Sequence, residues 1–66
     1  MIEISDSSHI TGADWDNGIM TIRFKGGNLY EAYDVSHDKF QEFMSAPSKG
    51  KFWRAEIEGV HTIARV

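Results

Sequence analysis

The sequence predicts an α+β domain. We expect a three- to four-stranded antiparallel meander followed by two short helices packed on one face, with a short C-terminal strand or extended tail. Three observations predict this class: apolar and polar residues alternate over 19–25, turn signals stand on both sides of that stretch, and two helix-start signals follow residue 35. We expect residues 1–66 to form a single domain, because 66 residues suffice for only one.

The first two strands form a hairpin. Residues 8–15 predict a short strand that Gly12 interrupts. Asn17-Gly18 predicts a type I′ turn, because that turn needs positive φ at both central residues and this pair tolerates it. Residues 19–25 are rich in β-forming side chains, and their alternation predicts one apolar and one polar face.

A third strand follows the turn signal at residues 26–28. We predict that residues 29–35 continue the meander. The expected helix-facing side chains are Leu29, Tyr33 and Val35, and the expected opposite side chains are Tyr30, Ala32 and Asp34.

Both helices have serine start signals. Ser36 is a good N-cap because its hydroxyl can accept a bond from an unpaired backbone N–H, and Pro47 ends the first helix at or before Ala46. Ser48 then caps a second helix that runs to about Glu58, with Gly59 as its stop. The side chains expected on its buried side are Trp53, Ile57 and Val60.

These assignments predict a core between the sheet and the helices. Its expected members are Ile10, Met20, Ile22, Phe24, Leu29, Tyr33, Val35, Phe40, Phe43, Met44, Phe52 and Ile57.

Composition limits the function classes. The absence of cysteine removes disulfides and thiolate chemistry and favours a reducing cytoplasm. The N-terminus has no signal-peptide pattern, and no segment has the apolar length for a membrane span, so we expect no membrane partner. The formal net charge is −3, which opposes a strongly basic nucleic-acid binder.

The charge is unevenly distributed along the chain. Residues 1–35 hold six acids against two basic residues, whereas residues 36–66 hold four acids against five. Any anion-binding surface is therefore expected in the second half.

The segment 45–54 is the strongest candidate site. It holds three of the seven basic residues and no acid, and it places lysines in the first turn of a helix, where the helix dipole disfavours them. Backbone N–H groups at a helix start can hold an anion, and flat aromatic rings can stack on unpaired bases. The expected RNA or anion contacts are Ser48, Lys49, Gly50, Lys51 and Arg54, with Tyr30 and Trp53 as aromatic contacts. The alternative is a solvated helix start with its aromatic residues in the core.

Catalysis and metal binding have little support. His9, His37 and His61 are widely spaced without a motif, and the acids Asp14 and Asp16 flank a turn, where aspartate is common. Ser-Lys-Gly-Lys is not a P-loop, which needs a longer glycine-rich loop. We therefore expect no enzyme, no metal site and no cofactor.

The order of motifs resembles the KTSC domain, a module of about this length named for the C-terminus of some lysyl-tRNA synthetases. The resemblance covers residues 7–66. It is carried by Ser7-Ser8-His9-Ile10, Trp15-Asp16, Ile19 to Phe24, Gly26-Gly27-Asn28-Leu29-Tyr30, Asp34-Val35, and Ala46-Pro47-Ser48-Lys49-Gly50-Lys51-Phe52. Two features depart from the family pattern: its central Tyr-x-Tyr stands here as Tyr30-Glu31-Ala32, and an asparagine often found after the Lys-Phe segment is replaced near Arg54 and Ala55.

The resemblance implies a stand-alone small bacterial or phage protein, for which RNA binding is the suggested role. We therefore predict a non-catalytic module that binds RNA weakly through its basic segment. About three phosphate contacts predict a log–log salt slope near −2 to −3. The alternative is a protein–protein interaction module, such as a phage or mobile-element accessory protein, which the net acidity favours.

Overall fold

Five antiparallel strands in the order β1-β2-β3-β4-β5 form a single meander, and two short helices stand between β4 and β5. The computed structural model describes all residues, 1–66. The strands are β1 (Ile2–Glu3), β2 (Ile10–Asp16), β3 (Ile19–Phe24), β4 (Leu29–Ala32) and β5 (Ile63–Arg65). The helices are α1 (His37–Ser45) and α2 (Lys49–Phe52), and α2 continues directly into a π-helical segment, Trp53–Glu58. This architecture confirms the predicted α+β class and adds an N-terminal edge strand.

One core lies between the helices and one face of the sheet. It contains most of the predicted members, while Phe24, Met44 and Phe52 are partly buried against it. The eleven buried hydrophobic residues are Ile4, Ile10, Ala13, Met20, Ile22, Ala32, Val35, Phe40, Phe43, Trp53 and Ile57.

The hairpin between β2 and β3 has the predicted turn. Asn17 and Gly18 both have positive φ, 48° and 85°, as a type I′ turn requires. The register shifts between Ile10 and Gly12, so the predicted interruption at Gly12 is a local irregularity of a continuous strand.

The face assignment of the third predicted strand is wrong. Ala32 pairs with Met20 and Tyr30 pairs with Ile22, and directly paired residues point to the same face of a sheet. Tyr30 and Ala32 therefore face the helices. Leu29 lies on the opposite face, where it pairs with Arg23.

The chain leaves the strand earlier than predicted. β4 ends at Ala32, and Asp34 has a positive φ of 58°, so the alternation does not continue to residue 35. Tyr33 lies outside the core, and its hydroxyl donates to Glu31 Oε1 at 2.7 Å. This hydrogen bond, with smaller contributions from burial and the Glu31 charge, raises the pKa of Tyr33 above its ordinary value of 10.0. Val35 is buried in the core although it lies outside the strand, and its N–H donates to the Gly18 carbonyl at 2.9 Å.

Both predicted N-caps are confirmed. The Ser36 hydroxyl accepts from the Lys39 N–H, and the Ser48 hydroxyl accepts from the Lys51 N–H. The second helix ends at Glu58 as predicted, but Val60 is 68% exposed and not part of the buried side. Gly59 follows the helix with φ −84°, so it is not in the left-handed conformation typical of a glycine stop.

Two basic residues lie at one end of the sheet. The register places the start of β2, the end of β3, the start of β4 and the end of β5 side by side, which brings Lys25 and Arg65 to this end. The amide of Lys25 bonds to the His9 carbonyl at 2.7 Å.

None of the helices combines the length and apolar content that a membrane crossing needs.

Candidate functional site

A polar cleft of about 330 Å³ lies where the N-terminal loop meets the start of α2. None of its lining residues is hydrophobic, and three are cationic. The predicted basic segment forms one wall and the loop 6–9 forms the other. The lining residues are Asp6, Ser7, Ser8, His9, Pro47, Ser48, Lys49, Gly50, Lys51 and Arg54.

Lys49 differs from the exposed phosphate contact predicted from sequence. Only 7% of the residue is exposed, and its Nζ donates to Asp6 Oδ2 at 3.1 Å. The Asp6 side chain is 66% exposed, so a solvated acid holds a buried ammonium. Because burying an unpaired charge is costly, this pair also explains why a lysine is tolerated at a helix start that disfavours it.

The other two cations of the cleft are exposed. Lys51 and Arg54 follow Lys49 along the helix and line the same cavity. Neither makes a salt bridge, so their charges are available to an anion. Gly50 faces His9 across the cleft, and a Cβ added at Gly50 would meet His9 Cδ2 at an ordinary contact distance of 3.9 Å. The structure thus brings together all five predicted polar contacts, with Lys49 in a supporting position.

The opposite wall was not predicted from sequence. Ser7 Oγ accepts hydrogen bonds from the N–H groups of His9 and Ile10, at 3.3 and 3.1 Å, which fixes the loop as it enters β2. Asp6 lies 43 residues before Lys49, and no local pattern links two positions so far apart. A single aspartate near the N-terminus is too common a feature to identify Asp6 as the partner of Lys49.

The predicted aromatic contacts lie in a second cavity of about 360 Å³. Its lining residues are Phe24, Asn28, Tyr30, Trp53, Glu58 and Ile63. Trp53 is only 3% exposed and belongs to the core, so it is not a stacking platform on the surface. Tyr30 is half-buried on the helix-facing side, which corrects its expected position on the face opposite the helices.

Three aromatic rings in this second cavity meet edge to face. The ring centroids of Phe24 and Tyr30 are 5.4 Å apart at 87°, and those of Phe24 and Trp53 are 5.9 Å apart at 76°. The indole Nε1–H of Trp53 donates to Glu58 Oε2 at 3.3 Å. The cavity is therefore aromatic with a carboxylate and the Asn28 amide at its edge.

The sheet face away from the helices is acidic. Asp14 pairs with Thr21 and Thr21 with Glu31, so the three lie in one row across β2, β3 and β4. Arg23 on the same face donates to Glu3 Oε1 at 2.7 Å and to the Thr11 carbonyl at 2.9 Å. This face would repel a polyanion, so RNA contact through the open sheet is disfavoured.

The three histidines lie in different surroundings. His37 packs edge to face on Trp15 with ring centroids 4.9 Å apart, and His61 Nδ1 bonds to the Tyr33 carbonyl at 2.9 Å. His9 alone lines the polar cleft. No three histidine, aspartate or glutamate side chains are grouped to hold a metal ion.

A small α+β domain with a five-strand meander, two helices on one face and a polar cleft defines the structural class. Within that class the chain belongs to the KTSC domain family, whose profile matches residues 6–61. The crystal structure of a KTSC domain protein from Yersinia pestis superimposes with a TM-score of 0.86 and 33% sequence identity, covering 97% of this chain and 92% of that one. No curated protein matches the chain.

Proposed function

We propose that this protein is a non-catalytic module that binds RNA weakly, through phosphates held in the polar cleft. The proposal rests on one observation: Lys51 and Arg54, two exposed cations without a salt bridge, line the same cavity, and no lining residue of that cavity is hydrophobic. Arginine and lysine supply most of the affinity of proteins for nucleic-acid phosphates. The hydroxyl and amide groups of the loop 6–9 add hydrogen-bond donors.

The buried position of Lys49 lowers the number of expected phosphate contacts from about three to two. For single-stranded RNA this gives a log–log salt slope of about −1.4. The affinity is then micromolar or weaker, unless a larger assembly presents the RNA. A cytoplasmic location belongs to the same proposal, whereas a phage or mobile-element accessory role belongs to the alternative, a protein–protein interaction module.

An NMR titration tests this proposal. The labelled protein is titrated with a single-stranded RNA oligonucleotide at two salt concentrations, and we expect amides within residues 45–54 to shift at low salt and less at high salt. Lys51→Gln and Arg54→Gln should each weaken binding and make the salt slope shallower by about 0.7. Lys39→Gln is the matched control, because Lys39 pairs with Glu56 outside the cleft. If no amide of residues 45–54 shifts at low salt, RNA binding by this cleft is wrong.

A protein–protein interaction module is the second candidate, and the acidic open sheet face favours it. The row formed by Asp14, Thr21 and Glu31 would suit a basic protein surface rather than RNA. Co-purification from lysate with and without nuclease separates the two functions. A partner protein that remains after nuclease treatment and is lost when Asp14 and Glu31 are neutralised supports this second candidate.

A further inference from the structure

We propose that the aromatic cavity is a base-binding subsite that receives an unpaired guanine. This inference rests on the proposed RNA binding and adds to it the recognition of one base. The cavity of about 360 Å³ falls in the size range of small-molecule sites, roughly 300–1,000 Å³, and it combines apolar walls with a few polar groups, as such sites do.

The two cavities are placed to hold neighbouring parts of one strand. Trp53 lines the aromatic cavity and Arg54, the next residue of the helix, lines the polar cleft. Successive side chains on a helix point roughly 100° apart, so the helix separates the cavities by about a quarter turn. Phe24 lines the aromatic cavity, and the next residue, Lys25, bonds through its amide to the carbonyl of the cleft residue His9. Phosphates in the cleft and a base in the aromatic cavity therefore lie at the same end of the molecule.

The cavity offers exposed aromatic surface on which a flat ring can stack. Tyr30 and Phe24 are half-buried, so each combines a fixed position with some exposed ring surface, while Trp53 closes the cavity from the core side. Because these rings meet each other edge to face, an unpaired RNA base would stack on one exposed ring face and be read along its hydrogen-bonding edge.

The polar groups favour guanine among the bases. Glu58 is exposed, and the Trp53 indole N–H engages only its Oε2, so the carboxylate can still accept two further hydrogen bonds. Guanine offers adjacent N1–H and N2–H donors to a carboxylate, whereas adenine offers its N6 donor beside an acceptor. Asn28 accepts from Arg65 Nη2 through Oδ1 at 3.1 Å, which leaves its amide nitrogen to donate to guanine O6.

An organic cation is a poorer occupant. Aromatic rings beside a carboxylate can bind an ammonium group, but Arg65 already brings a positive charge to Asn28 at the edge of this cavity. That guanidinium would repel a cation, whereas it is compatible with the carbonyl and phosphate oxygens of a nucleotide.

The test compares GMP, IMP, AMP and ribose 5-phosphate by NMR. The Trp53 indole N–H is the reporter because it bonds to Glu58, and the Trp15 indole N–H is the internal control because it bonds to the Val35 carbonyl at 2.8 Å. We expect all four probes to shift cleft amides, but only the nucleotides to shift the Trp53 indole and the amides of Asn28 and Tyr30. GMP should bind roughly tenfold more tightly than AMP, with IMP between them because it lacks the N2 donors.

Two variants make the test specific. Glu58→Gln should bring GMP affinity down to that for AMP, and the matched control Glu56→Gln should retain the preference, because Glu56 pairs with Lys39 outside the cavity. Tyr30→Leu should weaken all three nucleotides and leave ribose 5-phosphate unchanged. Unchanged amide shifts elsewhere and an unchanged Trp15 signal establish that each variant is folded.

Each other outcome overturns a defined part of the argument. If the nucleotides shift the same signals as ribose 5-phosphate and no more, the base subsite is wrong while phosphate binding stands. If none of the four probes shifts the cleft amides but GMP shifts the Trp53 indole, the phosphate cleft is wrong and the base subsite stands. Equal binding of GMP and AMP, or a tetramethylammonium ion that shifts the Trp53 indole as strongly as GMP, overturns the assignment to guanine.

Discussion

At the scale of single residues, the pair formed by Lys49 and Asp6 gives Lys49 a structural role in the basic segment, where the sequence predicted an RNA contact. Sequence reasoning correctly placed Lys49 at a helix start and noted the electrostatic conflict with the helix dipole. The resolution comes from a residue 43 positions away, which only the folded chain brings within 3.1 Å. The same distance in sequence explains why one wall of the cleft was predicted and the other was not.

This pair gives an asymmetric stability prediction. Asp6→Asn leaves a buried ammonium without its counter-charge and should lower the free energy of unfolding by about 1–2 kcal/mol, less than for a fully buried pair because Asp6 is largely solvated. Lys49→Met removes the buried charge along with the need for a partner, so its effect should stay within about 1 kcal/mol. Urea unfolding monitored by circular dichroism measures both.

The exposed ion pair between Arg23 and Glu3 provides the control. Glu3→Gln should change the free energy of unfolding by no more than about 1 kcal/mol, as expected for a pair with a well-solvated acid. If Lys49→Met destabilises the protein as much as Asp6→Asn does, the attraction between the charges exceeds the cost of burying the lysine, and the asymmetry is wrong.

At the scale of elements, the sequence was most informative where backbone chemistry leaves a local mark. The Asn17-Gly18 turn and the two serine caps were predicted because positive φ and a capping hydroxyl each require particular residue types. The sequence did not predict which side chains of β4 face the helices. Leu29 and Tyr30 both have large apolar side chains, and their order does not specify which one faces inward. The register with β3 decides it, and register is a property of the assembled sheet.

The π-helical segment is the second feature that the sequence did not predict. An α-helical spacing places Trp53 and Ile57 on one side, which the structure confirms. Hydrogen bonding in a π-helix runs from residue i to i+5, so it also brings Glu58 near Trp53, and the two share the edge of the aromatic cavity. The composition of residues 53–58 gives no signal for this wider turn.

The same substitution should have opposite effects in two elements. Gly18→Ala places a Cβ at φ 85° in the hairpin turn and should destabilise the fold by about 1 kcal/mol. Gly50→Ala lies in α2, where its Cβ would meet His9 at an ordinary contact distance of 3.9 Å, and should stabilise the fold by about 0.5–1 kcal/mol. Thermal unfolding of both variants against the parent protein measures the difference. A Gly18→Ala variant as stable as the parent would mean that the turn does not require its positive φ, and a destabilised Gly50→Ala variant would contradict the prediction for α2.

At the scale of the whole molecule, charge is separated between surfaces. The chain has a net charge of −3, yet its polar cleft presents cations while the open sheet face presents Asp14 and Glu31. Net charge alone therefore argues against RNA binding, whereas the folded arrangement gives RNA one favourable surface. The net charge could not show this, because it adds the cations of residues 49–54 to acids that lie elsewhere on the surface.

The separation predicts how distant acids act on RNA binding. The molecule measures 25 × 24 × 20 Å, whereas electrostatic screening acts over about 8 Å at 0.15 M salt. Neutralising two acids at the far end of the sheet, with Asp14→Asn and Asp16→Asn, should raise RNA affinity about two- to threefold at 0.01 M salt, where the screening length is about 30 Å. The gain should disappear at 0.15 M, and the salt slope should become steeper only in the lowest salt range.

Lys51→Gln gives the contrasting behaviour, because Lys51 lines the cleft itself. Its loss should weaken RNA binding at both salt concentrations, since a direct phosphate contact lies within the screening length. Fluorescence anisotropy with a labelled RNA at 0.01 and 0.15 M salt measures both variants together. If the aspartate variant still binds more tightly at 0.15 M, those acids lie close to the bound RNA, and the RNA then occupies the sheet face instead of the cleft.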